Sequence, residues 1–317
     1  SCSGKSIKFV NPMSVEEPVL VIGFNRPDHL NQVLIRLREI GVKNIFAAID
    51  GPRDSSDDEA VRACRKLITD IDWAQSISTN FQERNLGCGR GVTAAITWFF
   101  ANVDRGIILE DDIVPAPSFF NFCIELLDRY EDDERVFAAS GCYLVPAVGL
   151  EDPEAAYRFA QVTHVWGWAT WRRSWQQHRL ELDDWYRELP LRSLWVGSGR
   201  SIPGSLFWAG NFEAIRRGVV DTWDWPMNFA SMKTGQLTAT SNVNLVDNIG
   251  FDEQATHTRE GGSGLPPIGV ARTPSEPIPV QKDRKAEKWT RQHHWNATYL
   301  GTLDRIRHIA TQRGDNR

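Results

Sequence analysis

No apolar run in this chain approaches 18 residues, so no transmembrane helix is expected. A basic surplus is missing too. The 36 Lys and Arg stand against 41 Asp and Glu, a formal net charge of −5, with a pI near 5.8. That speaks against a general nucleic-acid binder, which gathers positive charge to meet phosphates. Cysteine is scarce: Cys2, Cys64, Cys88, Cys123 and Cys142 form no CxxC pair and are odd in number. Neither a disulfide framework nor a zinc ribbon follows, and a reducing compartment is the expectation. The opening SCSGKSIKFV has no apolar h-region and does not read as a signal peptide, so the expected location is cytoplasmic. No internal repeat is evident.

What is present is ordinary globular composition with one surplus. Hydrophobic residues make up 41% and charged residues 24% of the 317 positions, which argues against wholesale disorder. This length suggests two units, or one large α/β domain with an appendage. Tryptophan is over-used: 13 residues, roughly three times an average share. An indole N–H needs a partner when buried, so Trp is costly filler. The surplus reads either as a binding surface, sugar recognition among the options, or as a Trp-rich core.

Strand and helix alternate from residue 18 to about residue 140. PVLVIGF (18–24) is a buried strand that runs into Asn25-Arg26-Pro27. Asp28 to Ile40 has helical periodicity, with Asp28 placed as N-cap and Gly41 closing the helix. Strands are expected at 44–50, 76–81, 106–109 and 136–140, with helices at 57–70, 92–103 and 118–130. The strands read as continuous apolar runs, which predicts a parallel sheet covered on both faces. Ligands bind beyond the carboxyl ends of such strands. Here those ends carry Asn25-Arg26, Asp50-Gly51 and Glu110-Asp111-Asp112.

The last of these is the strongest signal. Clustered carboxylates repel unless a cation neutralises them, and hard oxygen ligands suit Mg²⁺ or Mn²⁺. A solvated acidic turn is the alternative. With its neighbours, the stretch GIILEDDIVPAPSFFNF (106–122) resembles GT-A-fold glycosyltransferases. The resemblance is closest to the group that includes N-acetylglucosaminyltransferase I and bacterial, family 2-like nucleotide-sugar transferases. It is carried further by VLVIGFNRPDHL (19–30), AAIDGPR (47–53), RNLGCGRG (84–91), VWGWATWRRSW (165–175), TWDWPM (222–227) and NLVDNIGFDEQATHT (244–258).

The resemblance implies a Rossmann-like, mostly parallel central sheet flanked by helices, with a Trp-rich acceptor-side region and a C-terminal helical tail. It implies an inverting transfer from a nucleoside-diphosphate sugar, UDP-sugar first, to a glycan or lipid-linked glycan. Arg26 and Asp50 fall where the family holds the base and ribose, and Glu110 and Asp111 where it contacts ribose and donor sugar. Asp112 falls on the acid that binds the metal, usually Mn²⁺. The motif is EDD rather than DxD, which leaves one acid placed on the metal. His257 in ATHT matches a late His supplied to the same ion; a structural His is the alternative. Asp224 in TWDWPM matches the catalytic base that takes the acceptor's proton, with Asp221 and then Glu213 behind it. The competing reading makes Asp224 an N-cap, since Pro226 sits well early in a helix.

Other constellations are weaker. Gly87-Cys88-Gly89-Arg90-Gly91 imitates a dinucleotide fingerprint, but Val92 stands where the third small residue belongs and the loop follows the third strand. Arg90 is expected near the diphosphate, or else in a flexible turn. Trp168 is expected to stack on the acceptor sugar, or else to hold the second half onto the sheet. His293-His294 reads as solvated, and the sequon Asn296-Ala297-Thr298 has meaning only in a secreted chain.

Five segments are expected: an N-terminal extension (1–17), a nucleotide-sugar half (18–145), an acceptor and catalytic half (146–258), a flexible loop (259–281) and a basic helical tail (282–317). The tail has nine Lys/Arg against four Asp/Glu, +5 against −10 for the rest. It is expected to pack as a surface helix, with peripheral contact at the inner membrane face as the other reading. Two alternatives to the transferase stand: a non-catalytic glycan- or nucleotide-binding module on the same fold, and a sugar-nucleotidyltransferase. The second expects a Gly-rich signature with Lys or Arg after the first strand, and GFNRPDHL lacks it.

Overall fold

The computed structural model describes residues 14–251, 265–269, 272, 274, 276–303 and 305. The alternation holds through the first half as β1 (Val19–Gly23), α1 (Pro27–Ile40), β2 (Asn44–Ile49), α2 (Asp58–Thr69), β3 (Ser76–Phe81), α3 (Cys88–Asn102) and β4 (Arg105–Glu110). There follow β5 (Ile113–Pro115), α4 (Pro117–Arg129), β6 (Val136–Ser140), β7 (Tyr157–Ala160), β8 (Trp168–Trp171) and α5 (Arg172–Trp175). The remainder is α6 (Trp185–Glu188), α7 (Leu191–Gly197), α8 (Ile202–Arg216), α9 (Asp224–Thr234), β9 (Leu237–Ser241), β10 (Val246–Asn248) and α10 (Arg284–Trp289).

Eight strands form one sheet in the order β3-β2-β1-β4-β8-β6-β9-β7. β3, β2, β1 and β4 pair in parallel, as do β6 and β9; β8 and the edge strand β7 run antiparallel to their neighbours. The sheet is therefore mostly parallel, and α1, α2 and α4 cover one face while α3, α5 and α9 cover the other. β1 is buried at all five positions, as a central strand covered on both sides must be. β3 departs from the expected apolar run. It is SISTNF, part-exposed along its length, and lies at the sheet edge, where one row of backbone groups has no ladder partner.

Two helix starts differ from expectation. Arg26, not Asp28, precedes α1; Asp28 lies in the first turn, where its charge suits the helix dipole. Gly41 closes α1 as expected, at φ 86°. α3 begins at Cys88, four residues earlier than the periodicity suggested, because its glycines serve close packing. A Cβ at Gly89 would lie 2.4 Å from an Asp221 carboxylate oxygen, and one at Gly91 would lie 3.0 Å from Asp50.

The first part of the basic tail is docked, as the surface-helix reading expected. Lys282 bridges to Phe159 of the edge strand. Asp283 caps α10 through Ala286 N–H at 2.8 Å and also accepts from Glu151 N–H at 3.0 Å. Glu287 accepts from Gln161 N–H at 2.8 Å. Among the described residues no helix is long and apolar enough to cross a membrane.

Candidate functional site

Parallel order brings the carboxyl ends of β1, β2 and β4 to one edge of the sheet. β1 delivers Arg26, β2 delivers Asp50 and β4 delivers Glu110, Asp111 and Asp112. The start of α9 brings Asp224 from more than a hundred residues away. All six side chains line one cleft of about 1000 Å³.

The acidic turn is organised around Arg26. Its guanidinium pairs with Asp111 and, at 2.9 Å, with Asp112. Asp111 is 2% exposed and also accepts from the Phe24 N–H at 3.3 Å. Gly250 leaves room for this ion pair. A Cβ there would lie 2.2 Å from an Asp112 oxygen and 3.0 Å from Arg26 Nη1. Burial, then the charges of Asp112 and Asp111, push the Glu110 carboxyl up to about 8. Burial raises Asp111 as well, against the pull of Arg26.

Asp50 is engaged with the chain itself. It accepts from Gly51 N–H at 2.8 Å, Leu86 N–H at 3.1 Å and Asn85 Nδ2 at 3.1 Å. It thus holds the loop between β3 and α3 while still lining the cleft. Beside it Arg53 lies 5.2 Å over the Phe24 ring and pairs with Asp57 at 2.7 Å.

Arg90 requires a correction. It is exposed and is not among the residues that line the cleft. Successive helical residues point roughly 100° apart. With Gly89 turned to Asp221 and Gly91 to Asp50, position 90 faces away. The Gly89 N–H donates to Asp221 at 3.0 Å, so this helix start holds a carboxylate of its own chain.

Trp168 also requires a correction. It is 1% exposed, sits in the core between the sheet and α3, and stacks on Trp223 with ring centres 5.8 Å apart. It offers no face to a ligand. Gly167, at φ +72°, turns the chain just before it, and Trp166, with Trp223 and Trp225, lines the cleft. Sequence reasoning ranks Trp168 above Trp166 within Trp166-Gly167-Trp168 and assigns no role to Trp225 or Gly250; the signals for these lie in the Gly-Trp pairing and in NIGF (248–251).

Asp224 is the first residue of α9, and Trp223 precedes the helix without a side-chain cap. The capping role therefore does not fall on Asp224. Its carboxylate accepts from the Thr222 hydroxyl, and its carbonyl accepts from Asn228 Nδ2 at 3.0 Å. Asp224 is near enough to Glu110 for its charge to add to the rise of that carboxyl. Of the runners-up, Asp221 lines the cleft. Glu213 does not: it is tied to Arg216, Arg217 and Trp185, and the Arg216 hydrogen bond leads in holding it down at about 2. His257 lies outside the described residues. His293 and His294 are exposed, as the solvated reading has them, and the His294 ring also meets that of His164 at 5.7 Å.

Among the described residues six acidic side chains line the cleft (Asp50, Glu110, Asp111, Asp112, Asp221 and Asp224) against two guanidiniums, Arg26 and Arg53. Among the described residues no three His, Cys, Asp or Glu gather as a closed metal site. A divalent ion shared with a substrate diphosphate needs less, one or two carboxylates with phosphate oxygens and water. Asp112 fits that requirement as a hard oxygen donor.

A smaller chamber of about 260 Å³ lies alongside and shares Val165, Trp166, Asp224 and Trp225 with the cleft. Its remaining walls include His164, Trp208, His294 and Trp295.

No protein-family model and no curated protein matches this chain. Among solved structures, that of the inositol-1-phosphate CTP transferase from T. maritima is similar at 10% identity and a TM-score of 0.35, over 72% of this chain and 86% of that chain. A likeness that slight carries nothing about activity.

Proposed function

We propose that the protein is an inverting glycosyltransferase that moves a sugar from a nucleoside-diphosphate sugar, UDP-sugar first, to a hydroxyl of a glycan or lipid-linked glycan. One observation carries this reading. A strand-end acidic triad and a helix-borne aspartate, remote in sequence, line a single cleft large enough for a nucleotide sugar. The ends of β1 and β2 hold the nucleoside side of the donor, with Arg26 fixing the acids that face it.

Asp112, with His257 as the proposed second ligand, would hold a divalent ion, Mn²⁺ or Mg²⁺. When bound, that ion supplies charge neutralisation for the departing diphosphate. The chain's own step is at Asp224. The acceptor oxygen attacks the anomeric carbon, the bond to the diphosphate breaks, and the nucleoside diphosphate leaves with the electron pair. The acceptor proton passes to Asp224, which the Thr222 hydroxyl orients and Asn228 anchors through the backbone.

Thermal-shift binding of UDP-, GDP-, CMP- and dTDP-sugars with and without Mn²⁺ tests the donor class, since a bound ligand raises stability by mass action. The first expectation is cation-dependent stabilisation by one diphosphate sugar. Asp224→Asn should then retain donor binding and lose about 10²–10⁴ in transfer rate, with product NMR showing an inverted anomer. Near-normal turnover of that variant, a retained anomer, or pyrophosphate release from a nucleoside triphosphate would each reject the reading. Vesicle sedimentation with and without anionic lipid tests whether a lipid-linked acceptor is met at a membrane surface.

A further inference from the structure

We infer that the aromatic chamber beside Asp224 is a subsite for a single uncharged pyranose ring, and that the segment around His294 and Trp295 builds part of it. The assignment of that ring as the acceptor sugar rests on the glycosyl-transfer reading; the binding of the ring does not.

Size and chemistry both point this way. At about 260 Å³ the chamber lies just below the range of drug-sized pockets, roughly 300–1000 Å³, so it suits one ring rather than a chain of them. Four indoles line it: Trp166, Trp208, Trp225 and Trp295. The electron-rich face of an indole attracts the slightly positive C–H face of a sugar. Partners for sugar hydroxyls are the two histidine rings and the second N–H of the Asn228 amide, while the Thr163 hydroxyl is already paired with Thr238 at 2.6 Å.

Charge sets the selectivity. Among the described residues no Lys or Arg lines the chamber, and Asp224 is the one carboxylate that does. Arg305, whose guanidinium lies 4.9 Å over Trp225, is engaged with Asn211 at 2.6 Å and with the Phe207 ring at 5.0 Å. Burial holds His164 down at about 3, so this imidazole is neutral at physiological pH. A uronate or phosphosugar placed here would meet Asp224 with no cation among the described lining residues to balance it. A neutral ring meets no such penalty.

The wall is built rather than incidental. Trp295 stacks on Phe207 at 5.9 Å and meets Trp208 edge-on at 5.2 Å. Asn228 accepts from Thr163 N–H at 3.0 Å while donating to the Asp224 carbonyl. One amide thereby ties the chamber floor to the start of α9.

The test uses the full chain without any nucleotide. Methyl glucoside, methyl galactoside and methyl N-acetylglucosaminide are titrated by tryptophan fluorescence and saturation-transfer NMR, against methyl glucuronide. At least one neutral glycoside should bind, at least tenfold more tightly than the glucuronide. Trp295→Ala, a chamber residue outside the cleft, should weaken it at least tenfold, with nucleotide-sugar binding as the control for fold. Should that variant not fold, Trp295→Phe and the neutral-against-uronate contrast on the native chain decide. Absence of neutral binding, equal binding of the glucuronide, or full binding by a folded Trp295→Ala would overturn the inference. Nucleotide binding without glycoside binding rejects the chamber alone, and glycoside binding without nucleotide binding rejects the transferase reading alone.

Discussion

Glu110 holds its proton in the folded protein at pH values where an unfolded chain would have lost it, because burial and the neighbouring Asp112 and Asp111 disfavour its charge. Its folded pKa is raised, so the stability it contributes is present below the unfolded value near 4.5 and is lost as pH climbs towards about 8. Buried His164 and His178 act in the opposite sense below pH ~6.5, where unfolded histidine gains protons. From pH ~6.5 to 8 the histidine contribution fades and the raised carboxyl of Glu110, coupled to Asp111, acts in the falling direction. Melts of the metal-free protein should show stability falling there by on the order of 1 kcal/mol, and Glu110→Gln should flatten the fall; a parallel decline in both proteins would remove Glu110 as the cause. Trp168 makes a second case. As a core residue its replacement by Ala should cost about 3–5 kcal/mol in denaturant unfolding, whereas an acceptor-stacking residue would lose substrate affinity with little loss of stability. The acids were readable because a charged cluster directly after a buried strand has few structural explanations. The tryptophans were not, since Trp166 and Trp168 are chemically identical and only the turn at Gly167 separates core from cleft.

At the scale of elements, the strand–helix order was plain in the apolar periodicity, and β3 and β6 begin and end at the expected residues. The start of α3 was not. Glycine lowers helix propensity, so a stretch with glycine at 87, 89 and 91 read as loop. The structure shows that these glycines admit Asp50 and Asp221, both remote in sequence, to the first turn. Asp221 satisfies an orphan N–H of α3. Asp221→Ala should cost on the order of 1 kcal/mol in urea titration. If Asp221→Asn instead matched Asp224→Asn in lost turnover, the base assignment would move to Asp221. The antiparallel insertion of β8 between β4 and β6 was equally hidden, because register across such a gap depends on tertiary packing rather than on local pattern.

Across the whole molecule, the segment from Lys282 closes over the sheet edge through buried polar links. Asp283 accepts from the Glu151 N–H and Glu287 from the Gln161 N–H, and the charges of both favour the charged form of Arg158, which is 4% exposed. Nothing in the composition of a basic tail reveals which strand it will cap, so this docking could be expected only as packing of some kind.

The charge census of the cleft bears on how fast a donor arrives. With Glu110 protonated, a diphosphate still approaches five aspartates and two guanidiniums among the described lining residues, on a chain of net charge −5, and climbs a repulsive potential before any contact forms. Electrostatic steering then works in reverse. Added salt shortens the Debye length from about 30 Å at 0.01 M to about 8 Å at 0.15 M, so monovalent salt should accelerate nucleotide-sugar association instead of slowing it. Stopped-flow tryptophan fluorescence without divalent cations should show the on-rate rising several-fold over that range, and Mn²⁺ should reduce or reverse the slope. An on-rate that falls with salt in the absence of Mn²⁺ would mean the donor enters along a path that the cleft acids do not govern.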